Sequence, residues 1–208
     1  MQKGKVYVFL TQCDYDAPEI TLFPKERNDE CIAVKNQRLR SEKQGVWQLL
    51  ATALERLGSS IEAIQPYKNE SGKWCSDSLY FSLSHSDSLL GVAVSLSPVG
   101  IDIENIHSFN VRFADFSRLI GFLNKIRTGN EDNDPTIENL IFLWTAKESV
   151  YKMRGAGAFT PSLIDTGCYN IVSKETRYQD CEYHISLCVD APFDNPSEDV
   201  IYEFVPKM

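Results

Sequence analysis

The stretch Gly100-Ile101-Asp102-Ile103-Glu104, taken with Trp144-Thr145-Ala146-Lys147-Glu148-Ser149-Val150-Tyr151-Lys152 further along, decides how this chain is read. In the first piece apolar and acidic side chains alternate. A strand has a period of two, so Ile101 and Ile103 go to one face and Asp102 and Glu104 to the other. Two carboxylates side by side repel unless a cation sits between them. The second piece has helical periodicity. Leu140, Leu143, Lys147 and Tyr151 fall on one stripe, and Ile141, Trp144, Glu148 and Lys152 on the adjacent one. Lys147 and Glu148 therefore interrupt an otherwise buried face, where a charge is costly unless it is paired or bound to a metal. A divalent cation held by Asp102, Glu104 and Glu148 is the joint explanation these two anomalies invite.

Around this pair of motifs the composition is that of an ordinary globular protein. The 208 residues are 43% hydrophobic and 24% charged, enough for one large domain or two small ones with a real core. No apolar run approaches the roughly 20 residues that span a bilayer. The apolar run at residues 6–10 is too short for the core of a signal peptide. Cys13, Cys31, Cys75, Cys168, Cys181 and Cys188 are scattered without a CxxC pair, which predicts reduced thiols and a cytoplasmic setting. The net charge of −8 argues against general nucleic-acid binding, and any anionic ligand must find a local basic patch.

In chain order, residues 6–10 predict a short strand. Residues 24–43 are polar and carry the basic cluster Lys35, Arg38, Arg40 and Lys43, either a solvated helix face or an anion-contacting one. Ser41 and Gln44 have capping-box spacing, or lie inside a longer helix. Val46, Leu49, Leu50, Ala53, Leu54 and Leu57 predict an amphipathic helix that Gly58 ends. Turn residues fill 66–78. Strands are predicted at 79–83 and 91–96, and Ser97-Pro98 leads into the strand at 100–104. Residues 106–128 read as helix or mixed structure and 128–133 as a polar loop. Asp134-Pro135 makes an N-cap and first-turn pair for the motif helix, which Gly155 and Gly157 end. Strands at 168–172, 183–189 and 200–205 complete an α+β pattern, with a strand, helix and strands in each of the parts 1–98 and 99–208.

Val99 to Glu104 followed by Trp144 to Lys152 resembles the two signature motifs of the 4′-phosphopantetheinyl transferases. Gly72-Lys73 and Phe81-Ser82-Leu83-Ser84-His85-Ser86 resemble that family's glycine-lysine turn and serine-histidine strand end. The length is similar to the larger, surfactin-synthetase-activating type. That likeness implies two similar α+β halves packed as a pseudo-dimer within one chain, with the active site between them. It implies Mg²⁺-dependent transfer of the phosphopantetheine arm of coenzyme A to a serine of an apo acyl or peptidyl carrier protein, releasing adenosine 3′,5′-bisphosphate. By the same likeness Asp102, Glu104 and Glu148 hold the metal and Glu148 is also the general base. Lys152 neutralises phosphate and assists the leaving group, and Lys73, Ser84 and His85 contact coenzyme A. A monomer, with no nucleic-acid or membrane partner, is expected.

The chain departs from the family pattern at two places. Trp74 stands where a proline commonly follows the glycine-lysine turn. Residues 45–50 lack the arginine that reaches the 3′-phosphate in many members, which implies either that Arg38 or Arg40 substitutes for it or that affinity for coenzyme A is lower. Lys125, Arg127 and Arg154 are candidates for docking an acidic carrier protein. A coenzyme A-binding regulatory or scaffold protein that has lost transfer is the alternative. A Mg²⁺-dependent nucleotide hydrolase is disfavoured by the lack of a P-loop.

Overall fold

The computed structural model describes residues 1–18, 20–112, 137–190, 192 and 195–207. Strand β1 (Val6–Gln12) is followed by helices α1 (Lys25–Ile32) and α2 (Gln37–Arg56). Helix α2 begins well before its apolar periodicity, because the Asn36 side chain accepts from the Leu39 N–H at 3.0 Å and caps the first turn. Ser41 and Gln44 therefore lie inside a longer helix. Gly58, at φ +76°, terminates it as expected. A short helix α3 (Ile61–Ile64) leads to the small hairpin β2 (Tyr67–Lys68) and β3 (Trp74–Cys75), with Gly72 at φ +80° in its turn.

Strands β4 (Tyr80–Ser86) and β5 (Leu89–Ser95) then join β1. The next elements are β6 (Val99–Asn105), α4 (Ile106–Arg112), α5 (Ile137–Arg154), β7 (Asn170–Tyr178), β8 (Cys181–Val189), α6 (Pro196–Asp199) and β9 (Val200–Phe204). The strands form sheets of order β4-β5-β1-β9 and β6-β8-β7, with β9 parallel to β1. The α+β class is the one observed. Of the stretch 106–128, α4 is the described part. The apolar residues Phe113 to Ile126, the loop at 128–133 and the Asp134-Pro135 cap lie outside the described residues. Among the described residues no helix is long and apolar enough to cross a membrane.

Both faces of the first sheet are covered, which is why β5 is buried along its whole length. Leu90, Val92 and Val94 meet Trp47, Leu50 and Leu54 of α2 on the outer face. On the inner face Val6, Val8, Leu10, Leu89 and Ala93 meet Ile101, Ile103, Ile185 and Leu187 of the second sheet. Burying each such side chain is worth roughly 1.5–3 kcal/mol. Gly91 makes the inner contact possible, since a Cβ there would lie 2.3 Å from Ile103 Cδ1.

The two sheets also meet edge to face. The outer N–H groups of β6 have no strand partner; serines on β4 take them instead. Ser82, Ser84 and Ser86 accept from the N–H groups of Ile101, Ile103 and Asn105 at 3.1, 3.1 and 2.9 Å. This ladder fixes the register of β6 against β4 and protects an otherwise bare edge.

Candidate functional site

Strand alternation in β6 works as its sequence predicts. Ile101 and Ile103 enter the core between the sheets, and Asp102 and Glu104 go to the opposite face. That face is covered by α5, and Gly100 lets the helix come close. A Cβ at Gly100 would lie 1.9 Å from the Ser149 carbonyl oxygen and 2.5 Å from the Met153 nitrogen. Only glycine fits under the helix there. The close approach brings Glu148 to Asp102 and Glu104, with one oxygen of each carboxylate within 4.8 Å of the others.

Lys152 lies one turn beyond Glu148 on α5. Its ammonium donates to Asp102 Oδ1 at 2.7 Å and to Ser84 Oγ at 3.0 Å, and lies 3.4 Å from Glu148. Ser84 in turn donates to Asp102 Oδ1 at 3.0 Å. With Ile103 N–H and Lys152 as donors to it and Asp102 as its acceptor, the Ser84 hydroxyl uses its full hydrogen-bonding capacity. Glu104 receives Arg112 at 2.5 Å and Ser86 at 3.3 Å.

Burial dominates the electrostatics. Asp102 is almost wholly enclosed, and its carboxyl is pushed up to about 7 by desolvation, opposed by Lys152 and reinforced by Glu148 and Glu104. Glu104 is raised by desolvation against the pull of Arg112. Burial pulls Lys152 down, but Asp102 and Glu148 together hold it above the ordinary lysine value. Asp102 Oδ2 is buried and has no hydrogen-bond partner among the described residues. Hard carboxylate oxygens converging from two elements, one of them left without a partner, fit a small divalent cation.

The cavity over this cluster, about 540 Å³, is walled by Ser84, His85, Asp102, Glu104, Arg112, Glu148 and Lys152. His85 Nδ1 is 3.4 Å from Glu42 Oε2. Lys73 is not in this wall. It lines an adjoining space of about 210 Å³ with Trp74, Phe81 and Tyr151, and Lys152 borders both cavities. The Lys73 ammonium donates to the Lys152 carbonyl, and desolvation lowers its pKa. Lys147 is separate again. It is buried and donates to the carbonyls of Pro161 and Ile164 at 2.9 and 2.8 Å, so its charge is resolved by backbone oxygens.

The departures from the family pattern have local explanations. Trp74 is buried edge-on against Trp47, with ring centroids 5.2 Å apart, and its Nε1 donates to Glu30 at 3.2 Å. Aromatic packing anchors the turn there. Val46, Trp47, Leu49 and Leu50 are core residues, which leaves that face of α2 no room for a solvated cation. Arg38 reaches Glu42 at 3.3 Å and Asp87 at 3.4 Å, and Arg40 donates to the Val34 carbonyl. Arg154 lies over the Tyr169 ring and donates to its hydroxyl. Lys125 and Arg127 lie outside the described residues. Arg112 was not singled out by sequence reasoning, and Ser82 and Ser86 were quoted only as part of the serine-histidine stretch, without a role. The alternating serines were a visible signal; Arg112 gave none.

Residues 98–187, the segment that carries β6, α5 and most of β8, match the 4′-phosphopantetheinyl transferase superfamily. The superfamily resemblance stands. A curated relative, the 4′-phosphopantetheinyl transferase gsp of Aneurinibacillus migulanus, is 35% identical over 95 residues. That alignment covers 45% of this chain and 39% of the relative, so the matched stretch spans well under half of that protein's length. The superfamily segment contains all three clustered carboxylates and Lys152.

Proposed function

We propose that this protein is a 4′-phosphopantetheinyl transferase acting on an apo carrier protein. The observation that carries the proposal is the convergence of Asp102, Glu104 and Glu148 beside Lys152, with Asp102 Oδ2 left without a partner. Asp102, Glu104 and Glu148 are the residues to hold Mg²⁺, which when bound neutralises pyrophosphate oxygens. Glu148, the least buried of the three, takes the proton from the carrier serine. The serine oxygen then forms its bond to the phosphorus that bears the pantetheine arm. The bond to the bridging oxygen breaks, and adenosine 3′,5′-bisphosphate leaves with that electron pair. Lys152 offsets the charge that develops on it. His85, Ser84 and Lys73 are the residues to contact coenzyme A, His85 and Lys73 at its phosphates. In this reading 1–98 and 99–208 are two related halves of one pseudo-dimeric chain, working as a cytoplasmic monomer.

Intact mass of an apo carrier protein, after incubation with this protein, coenzyme A and Mg²⁺, tests the proposal. The expected result is a gain of one phosphopantetheine arm, abolished by EDTA and by Glu148→Ala. No gain with fatty-acid, polyketide or peptide carriers, while coenzyme A still binds by calorimetry, would replace the transferase with a coenzyme A-binding scaffold.

A further inference from the structure

Among the described residues two cations of the chain itself already sit on the acidic cluster, and they differ in one respect. Lys152 is enclosed between Asp102 and Glu148, with a side chain 22% exposed. Arg112 is on Glu104, and its side chain is 51% exposed. Arg112 is the last residue of α4, and its guanidinium lies 5.6 Å from the Phe109 ring centroid and 5.8 Å from that of Trp144. The two rings seat the arginine over the cavity wall whether or not it holds a carboxylate.

The charges can be counted. Ionised, as they must be to hold a metal, the three carboxylates carry three negative charges, and Lys152 with Arg112 carries two positive ones. A divalent cation added to that set would leave a net positive charge on a largely buried carboxylate cluster, which a low-dielectric site opposes. One of the two side-chain cations must yield. Lys152 is buried on two carboxylates. Arg112 reaches solvent and has aromatic faces to rest on.

Building on the metal reading above, we propose that Arg112 competes with a divalent cation for Glu104, so that the guanidinium leaves this carboxylate when the ion binds. Arg112 then acts as a counter-charge that keeps Glu104 in place for the ion and sets how tightly the ion is held. It is a positioning residue for Glu104. After release its guanidinium faces the cavity and is available to an anionic group there.

The test is Mn²⁺ binding, followed by calorimetry and by loss of the free-ion electron spin resonance signal. Arg112→Gln is expected to bind Mn²⁺ about five-fold or more tightly than the natural protein, a coupling of ordinary size. Arg112→Lys, which keeps the charge, is expected to stay close to the natural protein. Lys25→Gln removes an exposed charge that pairs with Asp29 and touches none of the three carboxylates, and is expected to leave the affinity unchanged. The rise in melting temperature on adding Mg²⁺ should be larger for Arg112→Gln than for the natural protein. If Arg112→Gln does not fold, Arg112→Met keeps the stem on the rings and carries the same expectation. Unchanged or weaker Mn²⁺ binding in the neutral variants would overturn the competition while leaving the metal site intact. No Mn²⁺ binding by the natural protein would overturn both.

Discussion

The two buried faces of β4 and its neighbours are held together by different physics. On the outer side α2 lies on the sheet through Trp47, Leu50, Val92 and Val94, with aromatic contacts from Trp47 to Trp74 and Phe81. On the inner side β4 meets β6 through three serine hydroxyls, and β6 meets α5 through carboxylates, an ammonium and a glycine. The apolar side gains stability from every side chain it buries. The polar side spends burial on groups that must each find a partner, and leaves Asp102 Oδ2 without one. Stability and chemistry are thus allotted to opposite faces of β4, while the inner face of β1 and β5 keeps an apolar core of its own.

Truncation on the apolar side should have the largest effect on folding. Trp47→Ala is expected to cost about 3–5 kcal/mol, because the ring is fully buried and its neighbours are fixed on the sheet. Urea unfolding measures this, and a cost below about 1 kcal/mol would mean that α2 does not anchor the sheet. Gly100→Ala is expected next, at about 2–3 kcal/mol, since the new methyl group meets helix backbone. That variant should also lose divalent-ion affinity, because α5 must move and take Glu148 with it. Full stability with weakened ion binding would sharpen the comparison by confining the glycine's role to the site.

Ser84→Ala strips one hydroxyl from the polar side and leaves the Ile103 N–H without its acceptor. A loss of about 1–3 kcal/mol is expected, with a drop in transfer rate that Ser82→Ala does not share. Equal rate losses for the two serines would make the ladder purely structural.

The remaining expected effect is on pH. Burial pushes the Asp102 carboxyl up to about 7, well above the ordinary aspartate value of about 4. Between those values the folded state holds a proton that the unfolded chain has released. The Asp102 contribution to stability therefore falls as pH rises from about 4 to about 7 and is level above that. Ion binding runs the opposite way. Mg²⁺ affinity should climb across the upper part of this window as the carboxyl deprotonates, with proton release detectable by calorimetry in buffers of different ionisation enthalpy. Affinity independent of pH from 5.5 to 8 would show that Asp102 is already ionised and would remove burial as the dominant influence on it.

Much of this site was legible because it rests on short-range periodicity. Alternation in β6 and the spacing of Glu148 and Lys152 on α5 depend on neighbours within a few residues. What escaped depends on contacts between distant parts of the chain. The spacing of Lys147 put its charge in a buried place, but not the Pro161 and Ile164 carbonyls that receive it. The serines of β4 alternate visibly, yet their use as acceptors for β6 requires knowing that two sheets meet edge to face. Arg112 sits at the end of a seven-residue helix with no periodic signal, and only the fold carries it to Glu104. The start of α2 lay in polar sequence whose helicity is set by a cap and tertiary contacts instead of an apolar stripe.

The pairing of β9 with β1 makes the order of synthesis matter. Val6 lies beside Val200 and Leu10 beside Phe204, so nearly the whole chain separates these strands. While the protein is being made, β1 can align with β5 but its other edge stays bare until β9 has been synthesised. Such distant pairing slows folding and leaves an exposed edge in the meantime. A chain lacking β9 would present β1 as a template for foreign strands, so β9 guards the solubility of β1.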